Sequence, residues 1–166
     1  MKRFFPLTLS LVLLAALAGA ASLFSFPFLI YNTTDSLPHG FYMVRPSTDA
    51  GRGELAVLRV PPQVRELVSR RGWLREDGFL IKEVAGLPGD SLCTADGVFR
   101  VAGESYGQIL SVDSAGRPLP DYRFCGVIRR GLAVVSPGHE RSFDSRYFGP
   151  VSLKMLLGVA TPLWYF

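Results

Sequence analysis

The chain has 166 residues, 48% of them hydrophobic, two cysteines and a net charge of +4. Lys2 and Arg3 supply +2 of that total, which leaves +2 for residues 31–166 and excludes a nucleic-acid-binding reading. The length fits a single domain behind a distinct first segment.

That first segment is an uncharged run of 27 positions, residues 4–30, behind the basic pair Lys2-Arg3. About 20 apolar residues cover a bilayer as a helix, so residues 1–30 are expected to form one transmembrane anchor. The basic pair places the N-terminus in the cytoplasm and residues 31–166 outside. Cleavage of a signal peptide after Ala18-Gly19-Ala20 is the alternative. The apolar run continues beyond that point, longer than the usual signal-peptide core of about 7–15 residues.

Beyond the anchor, short apolar runs alternate with Gly, Pro and Asp, without internal repeats. Strands are predicted over 41–45, 54–60, 79–84, 91–94, 98–101, 107–112 and 131–135. One short helix is predicted over 64–71, behind Pro61-Pro62. Residues 103–121 read as a polar hairpin or mobile loop. The apolar end, residues 156–166, is broken at Pro162 and reads as an edge strand. Its aromatics Trp164, Tyr165 and Phe166 suit either strand packing or a membrane interface. The sum is a mainly β fold with an antiparallel body, one short helix and the preceding transmembrane helix.

An extracytoplasmic body with two cysteines predicts a disulfide between Cys93 and Cys125. A zinc site joining them to His39 and His139 lacks any close ligand pair, so no metal and no cofactor is expected.

Lys82 stands out. It alternates onto an apolar strand face with Leu80 and Val84, in a chain whose other lysines are only Lys2 and Lys154. A desolvated lysine can lose its proton near neutral pH and act as a base, which arginine cannot do. The bland alternative is a lysine that snorkels to water. Ser36 lies in the turn-prone stretch Asn32-Thr-Thr-Asp-Ser36-Leu-Pro38-His-Gly40-Phe-Tyr42. It is a nucleophile only if a neighbouring base takes its proton. An extended 142–146 segment would put Ser142, Asp144 and Arg146 on one face. Ser142 would then orient an amine, with Asp144 and Arg146 paired as a brace. A rival triad of Ser36, His139 and Asp144 is also open at this point.

Four blocks carry a resemblance: Ser36-Leu-Pro with Gly40-Phe-Tyr42; Gly53-Glu54-Leu-Ala-Val57; Lys82 to Asp90; and Ser142 to Gly149. In this order they resemble the type I signal peptidase superfamily of membrane-anchored Ser-Lys endopeptidases. The form Ser-Leu-Pro-x-Gly-x-Tyr is similar to the conjugative-transfer pilin maturation peptidases, the TraF-like group. The resemblance implies a signal-peptidase-like β body, Ser36 as nucleophile and Lys82 as general base. It implies an oxyanion hole from the Ser36 N–H and the Thr34 hydroxyl, with Ser142, Asp144 and Arg146 in support. The implied partners are a pilin or secretion-system precursor and the lipid bilayer of a bacterial inner membrane, with the catalytic domain periplasmic. Leu37 and Gly138-His-Glu-Arg141 depart from general signal peptidases, which usually carry Met and a Gly-Asn or Gly-Asp lead-in there. General preprotein processing and a non-catalytic, membrane-tethered assembly factor are the alternative functions.

Overall fold

The structure is a computed structural model that describes residues 8, 10–16, 19, 26–75 and 78–165. Of the expected anchor, residues 10–16 are helical, and most of the rest falls outside the described residues. No helix among the described residues is long and apolar enough to cross a membrane. The apolar run does not end as a helix: Leu29 and Ile30 already belong to the first strand, so the body begins before residue 31.

Among the described residues, ten strands form two antiparallel sheets. They are β1 (Leu29–Asn32), β2 (Gly40–Pro46), β3 (Leu55–Arg59), β4 (Phe79–Gly86), β5 (Ser91–Cys93), β6 (Val98–Val101), β7 (Glu104–Gln108), β8 (Cys125–Val127), β9 (Ala133–Val135) and β10 (Leu156–Tyr165). The larger sheet has the order β1-β2-β10-β3-β4-β9, and the smaller β7-β6-β5-β8. Helix α1 (Pro62–Arg70) begins on two prolines, where a missing N–H costs nothing, and buries Val64 and Val68 one turn apart. Helix α2 (Ser145–Phe148) is a single turn.

The C-terminal strand is internal, not an edge. β10 pairs with β2 over Gly158↔Pro46 to Tyr165↔Gly40 and with β3 over Leu156↔Leu58 to Ala160↔Leu55. Pro162 lies past the last β3 pair and beside a register shift, positions that tolerate a residue without an N–H. The segment expected as a strand over 107–112 pairs earlier, at Glu104–Gln108, and continues as a loop.

One core lies under α1, with Leu58, Val64, Val68, Val84 and Leu132 at its centre. A second, around Phe99, Val101 and Ile128, joins the two sheets. Gly86 sits where they meet: a Cβ there would stand 2.6 Å from Val101 and 2.8 Å from Ile128, so only glycine fits. Cys93 and Cys125 face each other across β5 and β8 and are disulfide-bonded, which occupies both thiols the zinc alternative needed.

Candidate active site

Ser36 lies at the tip of the β1–β2 hairpin. Asn32, buried at its base opposite Gly40, holds the connection from inside. Its amide donates to the carbonyls of Thr34 at 2.9 Å, Leu37 at 3.0 Å and Pro38 at 3.2 Å. Its Oδ1 accepts from the Thr34 N–H at 3.1 Å and the Thr34 hydroxyl at 2.7 Å. Tyr42 adds a hydroxyl bond to the Pro38 carbonyl at 2.7 Å. Gly40 closes the turn at φ 149°, a backbone region open to glycine. The loop is therefore fixed by a side chain that sequence reasoning passed over, although asparagine before a turn is a known local organiser.

Ser36 Oγ is 3.2 Å from Thr34 Oγ1. The Thr34 proton is committed to Asn32, so Ser36 donates to Thr34 and a relay runs Ser36 to Thr34 to Asn32. In this arrangement Thr34 accepts. To serve as an oxyanion donor its hydroxyl must turn from Asn32.

Lys82 projects from β4 between Ile81 and Glu83, opposite Ala56 on β3. It is 4% exposed. Its amine donates to Ser142 Oγ at 2.8 Å and to Ser136 Oγ at 3.0 Å. No carboxylate lies within ion-pair distance of it among the described residues. Burial lowers its pKa from 10.5 to about 8, with the Asp144 charge pulling it up and the Arg146 charge pushing it down. A neutral amine has two N–H groups and one lone pair. The two serines take both N–H groups and leave the lone pair to accept a proton. Ser136 was not foreseen, since a serine before Pro137-Gly138 reads as an ordinary turn residue.

The serines are placed by a buried ion pair. Asp144 and Arg146 bond twice, Nε to Oδ1 at 2.9 Å and Nη2 to Oδ2 at 2.9 Å, and both are essentially without solvent exposure. Asp144 Oδ2 also accepts the Ser136 N–H at 3.1 Å. Arg146 donates to the carbonyls of His139 at 2.9 Å, Glu140 at 3.0 Å and Ser142 at 3.0 Å. The segment is not the extended stretch expected from its sequence. Asp144 instead caps α2, accepting the Arg146 N–H at 3.2 Å, and the arginine folds back over the preceding loop.

Ser36, Lys82 and Ser142 open into one cavity of about 590 Å³, which His139 also lines. Asp144 is saturated by Arg146 and Ser136, and among the described residues His139 Nδ1 is buried without a hydrogen-bond partner. The Ser36–His139–Asp144 triad is thus not assembled. His39 pairs with Asp35 at 3.0 Å, at the turn's surface.

A mainly antiparallel β body that brings a turn serine and a buried lysine to one cavity is of signal-peptidase type. The chain belongs to the signal peptidase family, peptidase S26, whose sequence profile matches residues 1–165. Among its relatives, a plasmid transfer protein TraF of Escherichia coli is 31% identical over 159 residues, covering 89% of this chain and 87% of that protein. A conjugal transfer protein TraF of Agrobacterium fabrum (strain C58) is 33% identical over 144 residues, covering 74% of this chain and 81% of the relative. A solved signal peptidase I from Enterococcus faecalis V583 covers 68% of this chain and 97% of its own, at 23% identity and a TM-score of 0.40.

Proposed function

We propose that the protein is a membrane-anchored serine endopeptidase with a Ser36–Lys82 dyad that processes pilin or secretion-system precursors in conjugative transfer. The observation that carries this reading is the Lys82 amine, buried and gripped by Ser136 and Ser142 in the cavity it shares with Ser36. The transfer proteins among its relatives support the setting in conjugative transfer.

The Ser36 hydroxyl turns from Thr34 to Lys82 and gives up its proton to the lone pair as Oγ attacks the scissile carbonyl. The oxyanion takes the Ser36 N–H and the Thr34 hydroxyl, released from Asn32; losing one such donor costs roughly 2.7–4 kcal/mol in comparable sites. The Lys82 ammonium then protonates the leaving amine, and the C–N bond breaks to leave an ester on Ser36. Water, or an amine of the product itself, attacks that ester; Lys82 takes its proton and returns it to Ser36. Water gives a linear product and the chain's own amine a cyclic one.

The bilayer partner and periplasmic location rest on the apolar first segment and on an exposed face beside it. Across the sheet, Leu29 lies opposite Met43, and Tyr31 and Trp164 both lie opposite Phe41, all solvent-exposed.

The test is mass spectrometry of a candidate pilin precursor coexpressed in membranes with the wild-type or Lys82→Arg protein. A shortened product with the wild type alone is expected, and a further loss of one water marks cyclisation. Equal processing by both removes Lys82 as the base. Cleavage of general preproteins with the pilin precursor left intact favours a general signal peptidase. No processing of either class points to an assembly factor.

A further inference from the structure

Between β7 and β8 the chain makes an excursion that belongs to neither sheet. Residues 111–119 form a tight hairpin, with a bridge between Val112 and Pro118 and a bond from the Leu119 N–H to the Ser111 carbonyl at 2.9 Å. Its turn is wound around the Asp113 carboxylate. Oδ1 accepts the N–H groups of Ala115 and Arg117, each at 2.9 Å, and Oδ2 accepts Arg117 Nε at 2.8 Å. One more bond reaches Oδ2 from the body: Arg71 Nη1 at 3.0 Å, at the end of α1. Arg71 also donates to the Pro118 carbonyl, and its guanidinium lies 5.0 Å over the Trp73 ring. Trp73 in turn packs 4.9 Å from Phe143, next to Ser142.

The latch fixes one wall of the Ser36–Lys82 cavity. Val112 and Leu119 line it from the hairpin, with Leu110 just before it, and Val68, Trp73 and Leu74 face it from α1 and the residues after it. Apart from Arg75, Asp113 and Ser114, the residues these walls present to the cavity are apolar. The one carboxylate of the hairpin that lines the cavity, Asp113, is consumed by two arginines. The same cavity holds the candidate nucleophile, so what fills its outer half is continuous with the polypeptide being cut.

We infer that the 111–119 hairpin, latched by Asp113 to Arg71, is a specificity wall that binds an apolar stretch of the substrate polypeptide away from the scissile bond. Asp113 and Arg71 are positioning residues, and Val112 and Leu119 make the contact. The inference rests on the proposed peptidase function for its substrate, but its test does not need turnover.

The full-length Ser36→Ala, Trp164→Phe protein keeps Trp73 as its sole tryptophan and is titrated in detergent with a synthetic peptide. The peptide carries a leucine run ahead of small residues, and a control carries serines in place of the leucines. The leucine peptide is expected to shift Trp73 emission and to bind about tenfold more tightly than the control. Val112→Ser with Leu119→Ser, at partly exposed positions that leave the fold intact, is expected to abolish that tenfold preference. Asp113→Asn and Arg71→Lys are expected to weaken it. Retention of the full preference in the Val112→Ser, Leu119→Ser protein overturns the inference, as does the absence of any preference in the parent. Binding without cleavage by the Ser36-containing protein would contradict the peptidase reading and leave the wall in place.

Discussion

Arg146 and Lys82 grip opposite ends of one residue. The guanidinium donates to the Ser142 carbonyl at 3.0 Å, and the Ser142 hydroxyl accepts the Lys82 amine at 2.8 Å. Arg146 also saturates Asp144, which fixes the Ser136 backbone, so one buried ion pair places both hydroxyls on the amine. Replacing Arg146 by Gln leaves the Asp144 carboxylate buried without its partner. A loss of about 3–5 kcal/mol in urea denaturation is expected. Asp144→Leu with Arg146→Leu should recover part of that stability without recovering activity.

Ser136 and Ser142 divide the work of orienting the amine. Loss of either hydroxyl frees one N–H and, in the proposed mechanism, lets the lone pair swing away from Ser36. Each Ser→Ala change should lower kcat by about 10²-fold with little effect on KM. The double change should cost less than the product of the two, because both act through one group. Single-turnover kinetics on the precursor measures this.

The relay from Ser36 through Thr34 to Asn32 separates the hydroxyl from the methyl of Thr34. Thr34→Ser keeps the relay and the proposed oxyanion donor and should stay within a few-fold of wild type. Thr34→Val keeps shape and should lose about 10²–10³-fold in kcat. Equal activity of the two variants would remove Thr34 from the oxyanion hole.

The depressed lysine pKa sets two pH dependences of known sign. The proposed mechanism requires the deprotonated amine, so kcat/KM should rise with pH and level off above about 8. For stability, the folded pKa of about 8 lies below the free value of 10.5, so below pH 8 the fold carries the full cost of a buried ammonium. That cost is relieved as pH rises from 8 to 10.5. Relative to Lys82→Met, the wild type should gain up to about 3 kcal/mol across that window. Paired denaturation curves at neutral and alkaline pH report it.

Lipid contact is checked with Trp164. In the full chain carrying Trp73→Phe, reconstituted in vesicles, bromines near the acyl-chain headgroup end should quench Trp164 and deep bromines should not. Equal emission in brominated and ordinary lipid would remove the sheet face from the membrane.

Lys82 was legible in the sequence because lysine is so scarce here that its place on an apolar strand carries information. Ser36, Ser142, Asp144 and Arg146 were legible as motifs, and the structure brings Ser36 and Ser142 to the Lys82 cavity. The conformation of 142–146 was not read correctly. Asp144 as a cap and Gly149 five residues later bracket a short helix, but a single turn has too few residues to show a period. β1 was hidden because its Leu-Ile-Tyr continues the apolar run that reads as an anchor. The central position of β10 was hidden because strand pairing is a long-range property, and Pro162 favours an edge only if pairing extends past it on both sides. Ser136 and the Asp113–Arg71 latch act through partners 54 and 42 residues away in the chain, which no local pattern encodes, whereas Asn32 acts within its own turn.

The central claim is that Lys82 gives up its proton near pH 8, far below an ordinary lysine. With only Lys2, Lys82 and Lys154 in the chain, lysine side chains labelled with ¹⁵N give three Nζ resonances, assigned by Lys82→Met. One of them should titrate near pH 8 and disappear in the variant. A Lys82 resonance that stays protonated to above pH 10 would contradict the account.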